Sequence, residues 1–264
     1  MAGRGSLRPS IGLSGWSTHS EALAMSRPTL LVPVVFPDPD VYSLDHENIV
    51  GLSGFDVVLF GYWEVPEGAD RETVRASRAP EAQSVLYELA AAFSRGGAST
   101  SVRLFFGQSG AAEAKLQDRI ADESDADAVL MGGNITKWAN VLVPLRDDRR
   151  RSDLLAFLGG LNRHSVFTLE LYHVAPDQAA VAAGEAMLES VRADLVEAGF
   201  AEDVVDATVD VRGDAGVAVA ERAQRHNLVV MGETGEHPSE SAFLGSVYRR
   251  LADRVDVPVV VLRD

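Results

Sequence analysis

The chain has 264 residues, 46% of them apolar and 24% charged, and 39 acidic against 24 basic side chains give a net charge of −15. That is the composition of a globular protein with ample chain for a core, in one large domain or two smaller ones. It excludes a generic nucleic-acid binder, which needs a basic face against phosphates, and disfavours docking on anionic lipid. With no cysteine in the chain, disulfides and thiolate metal sites are excluded as well.

Residues 1–27 are rich in Gly, Ser and Arg and lack periodicity, which predicts a disordered tail, with Met25 a candidate start. No apolar core of a secretory signal follows the early arginines, and no apolar run is long enough to span a membrane. A cytoplasmic protein is expected. Lys115 and Lys137 are the only lysines, and an acidic, lysine-poor surface suits a salty, halophilic cytoplasm.

TLLVPV (29–34) reads as a first strand. Pro37 and Pro39 follow it, so the first helix is expected to be short or distorted. VVLFGY (57–62) reads as a second strand, Pro80–Phe93 as a long helix, Ser101–Phe106 as a third strand and AVLMGG (128–133) as the exit of a fourth. After Gly133 there is no room for a further helix and strand before the next unit begins near 135–139.

Val141–Leu145 is the next strand, Ser152–Leu161 a helix, Phe167–Val174 a strand and Gln178–Ala198 a long amphipathic helix ended by Gly199. Val204–Val211 is a strand. Ala215–Arg225 is a helix with Asp214 as its N-cap, and Leu228–Met231 is a strand. Ser246–Arg254 is a helix and Val257–Leu262 a closing strand.

The two stretches echo each other in one unchanging order. TLLVPV answers NVLVPL (140–145), VVLFGY answers LELYHV (169–174), GQSG (107–110) answers GDAG (213–216), and AVLMGG answers LVVMGE (228–233). A duplicated unit is the organisation this implies: a tail at 1–27, a degenerate unit at 28–136 and a complete one at 137–264. Continuous apolar strands alternating with helices predict an α/β fold with parallel sheets covered on both faces and right-handed crossovers.

The sharpest signal is Gly232, two residues, Gly235, nine residues, then Gly245-Ser246, placed after a buried strand and opening a helix. Gly232 and Gly235 let the backbone approach a ligand with no Cβ in the way. Gly245 and Ser246 put unpaired amides, a helix dipole and a hydroxyl at the start of the last helix, where phosphate oxygens are favoured. The carboxyl edge of a parallel sheet is the expected crevice.

On this spacing, and on VLVPL, LYHV, GDA, VVMG and DVPVVVLR around it, residues 140–264 resemble a universal stress protein domain. Over 28–134 the resemblance is thinner and rests on VPV, VVLFGY, GQS and AVLMGG. The resemblance implies two Rossmann-like units of the adenine-nucleotide hydrolase type. The second would have five parallel strands in the order 3-2-1-4-5, and the first a truncated sheet. It implies ATP, AMP or another adenine nucleotide, with magnesium as companion, held by Met231, Gly232, Gly235, Gly245, Ser246 and Val247. Pro144, Leu145 and Arg146 would line the adenine side, with Val174 flanking the base. The family commonly places Asp where this chain has Arg146, and a guanidinium cannot accept hydrogen bonds from adenine or ribose.

The apolar closing strand is an edge that proteins cover by pairing, so a homodimer through the C-terminal unit is expected. Arg149, Arg150 and Arg151 read as a solvated helix start or as steering cations. His237 reads as an exposed loop residue and His173 as a hydrogen-bonded edge residue. No HExxH, GxSxG or P-loop spacing occurs, so no catalytic residue and no metal site is expected. A nucleotide-binding regulatory module is the leading function. A nucleotide-free scaffold and a slow ATP hydrolase on the same fold stand as alternatives.

Overall fold

A computed structural model describes residues 27–39, 46–108, 111–131, 139–232 and 257–263. Residues 1–26 of the expected tail, residues 132–138, which hold most of the expected unit boundary near 135–139, and the segment 233–256, which carries Gly235, Gly245, Ser246, Val247, His237 and the helix expected at Ser246–Arg254, lie outside the described residues.

The chain alternates strand and helix. In order it forms β1 (Thr29–Phe36), α1 (His46–Gly51), β2 (Asp56–Glu64), α2 (Arg71–Gly96), β3 (Ser99–Gly107), α3 (Ala111–Glu123) and β4 (Ala128–Met131). It continues with β5 (Asn140–Pro144), α4 (Arg151–Gly160), β6 (Thr168–Ala175), α5 (Val181–Glu197), β7 (Val205–Val211), α6 (Ala215–Ala223), β8 (Leu228–Gly232) and β9 (Val259–Leu262). Most strand expectations agree with these bounds within two residues. The largest departure is α2, which begins nine residues before Pro80. The Asp70 carboxylate accepts from the Thr73 amide at 2.8 Å and starts the helix there. Pro80 therefore sits inside the helix, where the carbonyl four residues back loses its usual donor. Gly97, at φ 100°, ends it in the left-handed conformation that glycine adopts without strain. The long helix expected at 178–198 is a short 3-10 turn, Gln178–Ala180, followed by α5.

The nine strands among the described residues form one sheet, in the order β3-β2-β1-β4-β9-β8-β5-β6-β7. Every neighbouring pair is parallel except β4 and β9, which run antiparallel with Val129 opposite Val261 and Met131 opposite Val259. Outward from β9, the strands on either side follow the same winding: β4, β1, β2, β3 one way and β8, β5, β6, β7 the other.

This arrangement corrects one expectation. The closing strand is not a free edge awaiting a second chain. β9 pairs with β8 on one side and β4 on the other, so the apolar run VVVL is sealed within the chain. The physical need was read correctly, since four consecutive apolar residues must be covered on both edges. The partner is β4 of the same chain, whose own side of the sheet has four strands among the described residues. The argument for a homodimer through this strand thereby loses its edge.

One face of the sheet carries α1, α2, α4 and α5 over a continuous apolar layer that includes Leu30, Leu59, Phe93, Val143, Phe157, Leu188 and Val260. On the other face α6 packs through Val219 and Ala223 onto Leu142, Val229 and Val261. On that same side α3 packs through Ile120 and Ala121 onto Leu31, Phe60 and Val129. The two halves also meet through their helices. Phe55 and Phe157 meet with their rings tilted at 48° and centroids 4.8 Å apart, and the Asn162 main-chain amide donates to the Gly51 carbonyl at 2.9 Å.

Candidate functional site

β5 and β8 are hydrogen-bonded only at their amino ends, Val141 to Leu228 and Leu142 to Val229. Beyond Leu142 the ladder stops. The chain leaves β5 toward β6 on one side, and β8 lies on the other, so the sheet reverses its winding here. Parallel α/β sheets open a crevice at such a point, at the carboxyl ends of the strands. Pro144 ends β5, Leu145 and Arg146 follow it, Val174 lies near the end of β6, and Met231 and Gly232 end β8. Six of the ten residues expected at the site thus share this one edge of the sheet. Val174 and Met231 pack into the same apolar cluster as Leu142 and Tyr172.

The loop after β5 is fixed by the strand beside it. The Leu145 amide donates to the Tyr172 carbonyl, and the Leu145 carbonyl accepts from His173 Nδ1, both at 2.8 Å. His173 is thereby a strut for the loop. Its ring also lies against Gly184 of α5, where a Cβ would come within 2.6 Å of the imidazole.

Four arginines occupy 146–151, and their roles differ. Arg149 grips the Asp147 carboxylate through Nη2 at 2.7 Å and Nε at 3.0 Å, and Arg146 approaches it at 3.4 Å. The Arg149 hydrogen bond is the main reason that the Asp147 carboxyl is held down to about 2. Asp147 is therefore a charged partner of the loop's own cations. Arg151 turns away to α5, where it binds the Asp194 carboxylate and donates to the Ser190 hydroxyl and carbonyl, each at 2.8 Å. It anchors the start of α4.

Arg150 turns the other way, into the crevice. Its side chain lies against Gly232, so close that a Cβ there would meet its Cδ at 2.9 Å. Its Nη1 donates to the Arg263 carbonyl at 2.7 Å, beyond the end of β9. Arg263 in turn ties this end of the sheet to the other half. Its amide donates to the Asp127 carbonyl at 2.9 Å and its guanidinium to Asp122 at 2.6 Å. The sequence expectation put Arg149, Arg150 and Arg151 near the crevice as one group, without separating their roles, and did not mark Arg263. The run of arginines directly after a strand was the available signal.

A second polar cluster lies between β6 and α6. Glu170, 6% exposed, receives Arg222 Nε at 2.9 Å, and His226 Nε2 lies 3.1 Å from the same carboxylate. His226 Nδ1 donates to the Arg222 carbonyl at 3.0 Å. Burial pushes the Glu170 carboxyl up, but hydrogen bonds from His226, Arg222 and Thr208 outweigh it and bring it to about 2. Nearby, burial first and the hydrogen bond to Asp210 second push the Tyr172 hydroxyl up to about 12. This cluster joins strand to helix. Among the described residues no group of three or more His, Asp or Glu side chains could hold a metal ion, and no helix is long and apolar enough to cross a membrane.

Solved structures with the same fold cover nearly the whole chain. A universal stress protein from Archaeoglobus fulgidus DSM 4304 is similar with TM-score 0.58 and 15% identity, covering 91% of this chain and 98% of that one. A universal stress protein described as putative, from Pseudomonas aeruginosa UCBPP-PA14, is similar with TM-score 0.51 and 16% identity, covering 90% and 94%. A protein of unknown function from Pseudomonas aeruginosa PAO1 is similar with TM-score 0.52 and 16% identity, covering 90% and 93%. At such identities the likeness shows the fold. No curated protein matches the chain. Residues 137–263 match the model of the universal stress protein family.

Proposed function

We propose that the whole chain is a tandem universal stress protein of two like-wound units, at 28–136 and 137–264, and that its C-terminal unit binds ATP or a related adenine nucleotide. The observation that carries this reading is the crevice where β5 and β8 part, with Gly232 at its mouth, inside the segment that matches the family. Seen from β9, the second half winds β9-β8-β5-β6-β7, which is the family order with β9 as the fifth strand.

In this proposal Gly232, Gly235, Gly245, Ser246 and Val247 hold the phosphates and ribose through main-chain amides and the Ser246 hydroxyl. Pro144, Leu145 and Arg146 line the base side, and Val174 flanks it. The residues present fit a phosphate group: a glycine at the strand end and guanidinium groups beside it. Magnesium would travel with the phosphates. The role is regulatory. Occupancy would order the crevice and so report nucleotide to a partner.

Purified protein is denatured and the released small molecules are measured by absorbance and mass, followed by titration with ATP, AMP and cyclic AMP. Released adenine nucleotide or a saturable heat supports the proposal. Absence of both favours the second reading, a nucleotide-free scaffold of the same fold. Arg146 is the specific observation behind that alternative, because it removes the carboxylate acceptor from the base side.

A further inference from the structure

We propose that the outer edge of β3 is an interaction surface for a second copy of this chain, the two β3 strands pairing antiparallel about a two-fold axis. The proposal does not depend on nucleotide binding.

The sheet ends in β3 on one side and β7 on the other, each bonded along one edge only among the described residues. Hydrogen-bond direction shows which groups each outer edge presents. The Val65 amide donates to the Gly107 carbonyl at 2.8 Å, so the odd-numbered residues of β3 face β2, and Thr100, Val102, Leu104 and Phe106 turn their amides and carbonyls outward. The Leu169 amide donates to the Val204 carbonyl at 2.8 Å, so Val205, Ala207 and Val209 face outward on β7.

The two edges are not alike. On β7 the outward carbonyl of Val205 already accepts from Arg192 Nε at 3.0 Å, and Asp206 and Asp210 give the strand two negative charges. Both features turn away an added strand. In a chain of charge −15, two copies meeting there would set acid against acid. β3 has neither feature. Its nine residues, STSVRLFFG, pair with β2 in unbroken register, with no bulge, proline or acid, and Arg103 is the strand's only charge. Val102, Leu104 and Phe106 lie on the α2 face of the sheet, yet they are only partly buried against its apolar layer.

A second β3 complements this edge. Antiparallel pairing about Leu104 sets Val102 opposite Phe106 of the second copy and Arg103 opposite its Phe105. Apolar groups then meet apolar groups, and each guanidinium meets an aromatic ring and not its twin. Outward amides meet outward carbonyls at the even-numbered positions. The contact uses the same patch on both copies, so it closes at two.

The full chain is examined by sedimentation equilibrium in about 1 M potassium chloride, which screens the repulsion between two acidic copies. Wild type is expected to be a dimer at about 10–100 μM and to dissociate on dilution, as suits a contact made mainly by one strand pair. The double variant S101D/R103D changes two exposed side chains and puts acids on the edge. V102P removes an outward amide and none of the bonds to β2, and A207P does the same on β7 as a control. Each β3 variant is expected to weaken the dimer about 30-fold or more, and A207P to leave it unchanged. Should V102P melt far below wild type, the acidic variant decides. Wild type that stays monomeric overturns the proposal, whether hydrogen exchange finds the outward β3 amides open or covered by another part of the same chain. So does a dimer that the acidic variant leaves intact, a dimer that A207P weakens equally, or an assembly that grows past two copies.

Discussion

Arg222 on α6 meets Glu170 on β6 in a two-point pair, Nε to Oε2 at 2.9 Å and Nη2 to Oε1 at 2.5 Å. The same guanidinium lies over the Tyr172 ring, 5.8 Å from its centroid. Removing the Glu170 charge takes the anion from Arg222, whose side chain is 29% exposed, at a cost of about 1.5–3 kcal/mol. Glu170→Gln is therefore expected to lower stability by about that amount in denaturant unfolding. Glu170→Gln combined with Arg222→Met should recover part of the loss, because the uncompensated cation is gone. An additive double variant would show that the pair is not coupled.

The same carboxylate sets an acid limit. The Glu170 carboxyl sits at about 2 in the folded protein against 4.5 for an ordinary glutamate. A group depressed on folding stabilises the protein above its unfolded value, and that stabilisation is lost as pH falls from about 4.5 toward about 2. Unfolding midpoints in urea, measured from pH 6 down to pH 3, should fall more steeply in wild type than in Glu170→Gln. Parallel curves would remove Glu170 from the account of acid lability.

β9 belongs to both ladders, and its four residues are almost completely buried, Val260 at 0%. A strand shared in this way couples the two halves of the sheet. Heat or denaturant should give one transition, seen alike by circular dichroism and by the fluorescence of Trp63 in the first half. Val260→Ala removes two buried carbon groups and leaves a cavity at the seam. It should cost about 2 kcal/mol and shift that single transition as a whole. Two separated transitions in the variant would mean that the halves are held together elsewhere.

Much of the second half was legible because each element carries its own local sign. The strands are short β-branched runs, Asp214 caps α6 through the Val217 amide at 3.1 Å, and Gly199 at φ 97° follows α5. The β4–β9 pairing has no such sign. It joins Val129 to Val261, more than a hundred residues apart, and an apolar run asks to be covered without naming what covers it. Pro80 misled in the opposite direction. Proline marks the first turn of many helices, but here the Asp70 cap had already started this one. At the crevice, Gly232 and the strand ends were legible from spacing. The aim of Arg150 toward Arg263 was not, because it depends on where α4 begins and on the chain's last strand.

The loop after α1 and the end of α4 approach closely at one glycine pair. A Cβ added at Gly54 would lie 2.2 Å from the Gly160 carbonyl oxygen, a backbone atom that cannot swing aside. Gly54→Ala must therefore push the loop after α1 away from the end of α4, disturbing the Phe55–Phe157 contact beside it. An expected loss of about 1–3 kcal/mol follows from overpacking. The control is Gly159→Ala, where no atom lies within 4 Å of the added carbon and stability should hold or rise slightly. Equal melting temperatures for Gly54→Ala and wild type would show that this approach is looser than its geometry implies.

Gly232 offers a contrasting case. A Cβ there meets Arg150 Cδ at 2.9 Å, and that atom belongs to a flexible side chain. The fold can absorb the change by a rotation of Arg150, so Gly232→Val is expected to cost no more than about 1 kcal/mol in stability. The crevice cannot absorb it as easily. Valine would narrow the approach to the end of β8 and displace the Arg150 side chain that lies against position 232. Nucleotide affinity should fall by about 10-fold or more while the unfolding midpoint barely moves. A variant that binds ATP as wild type does would place the ligand somewhere other than the β5–β8 crevice. A variant that loses both binding and stability would make Gly232 a packing residue.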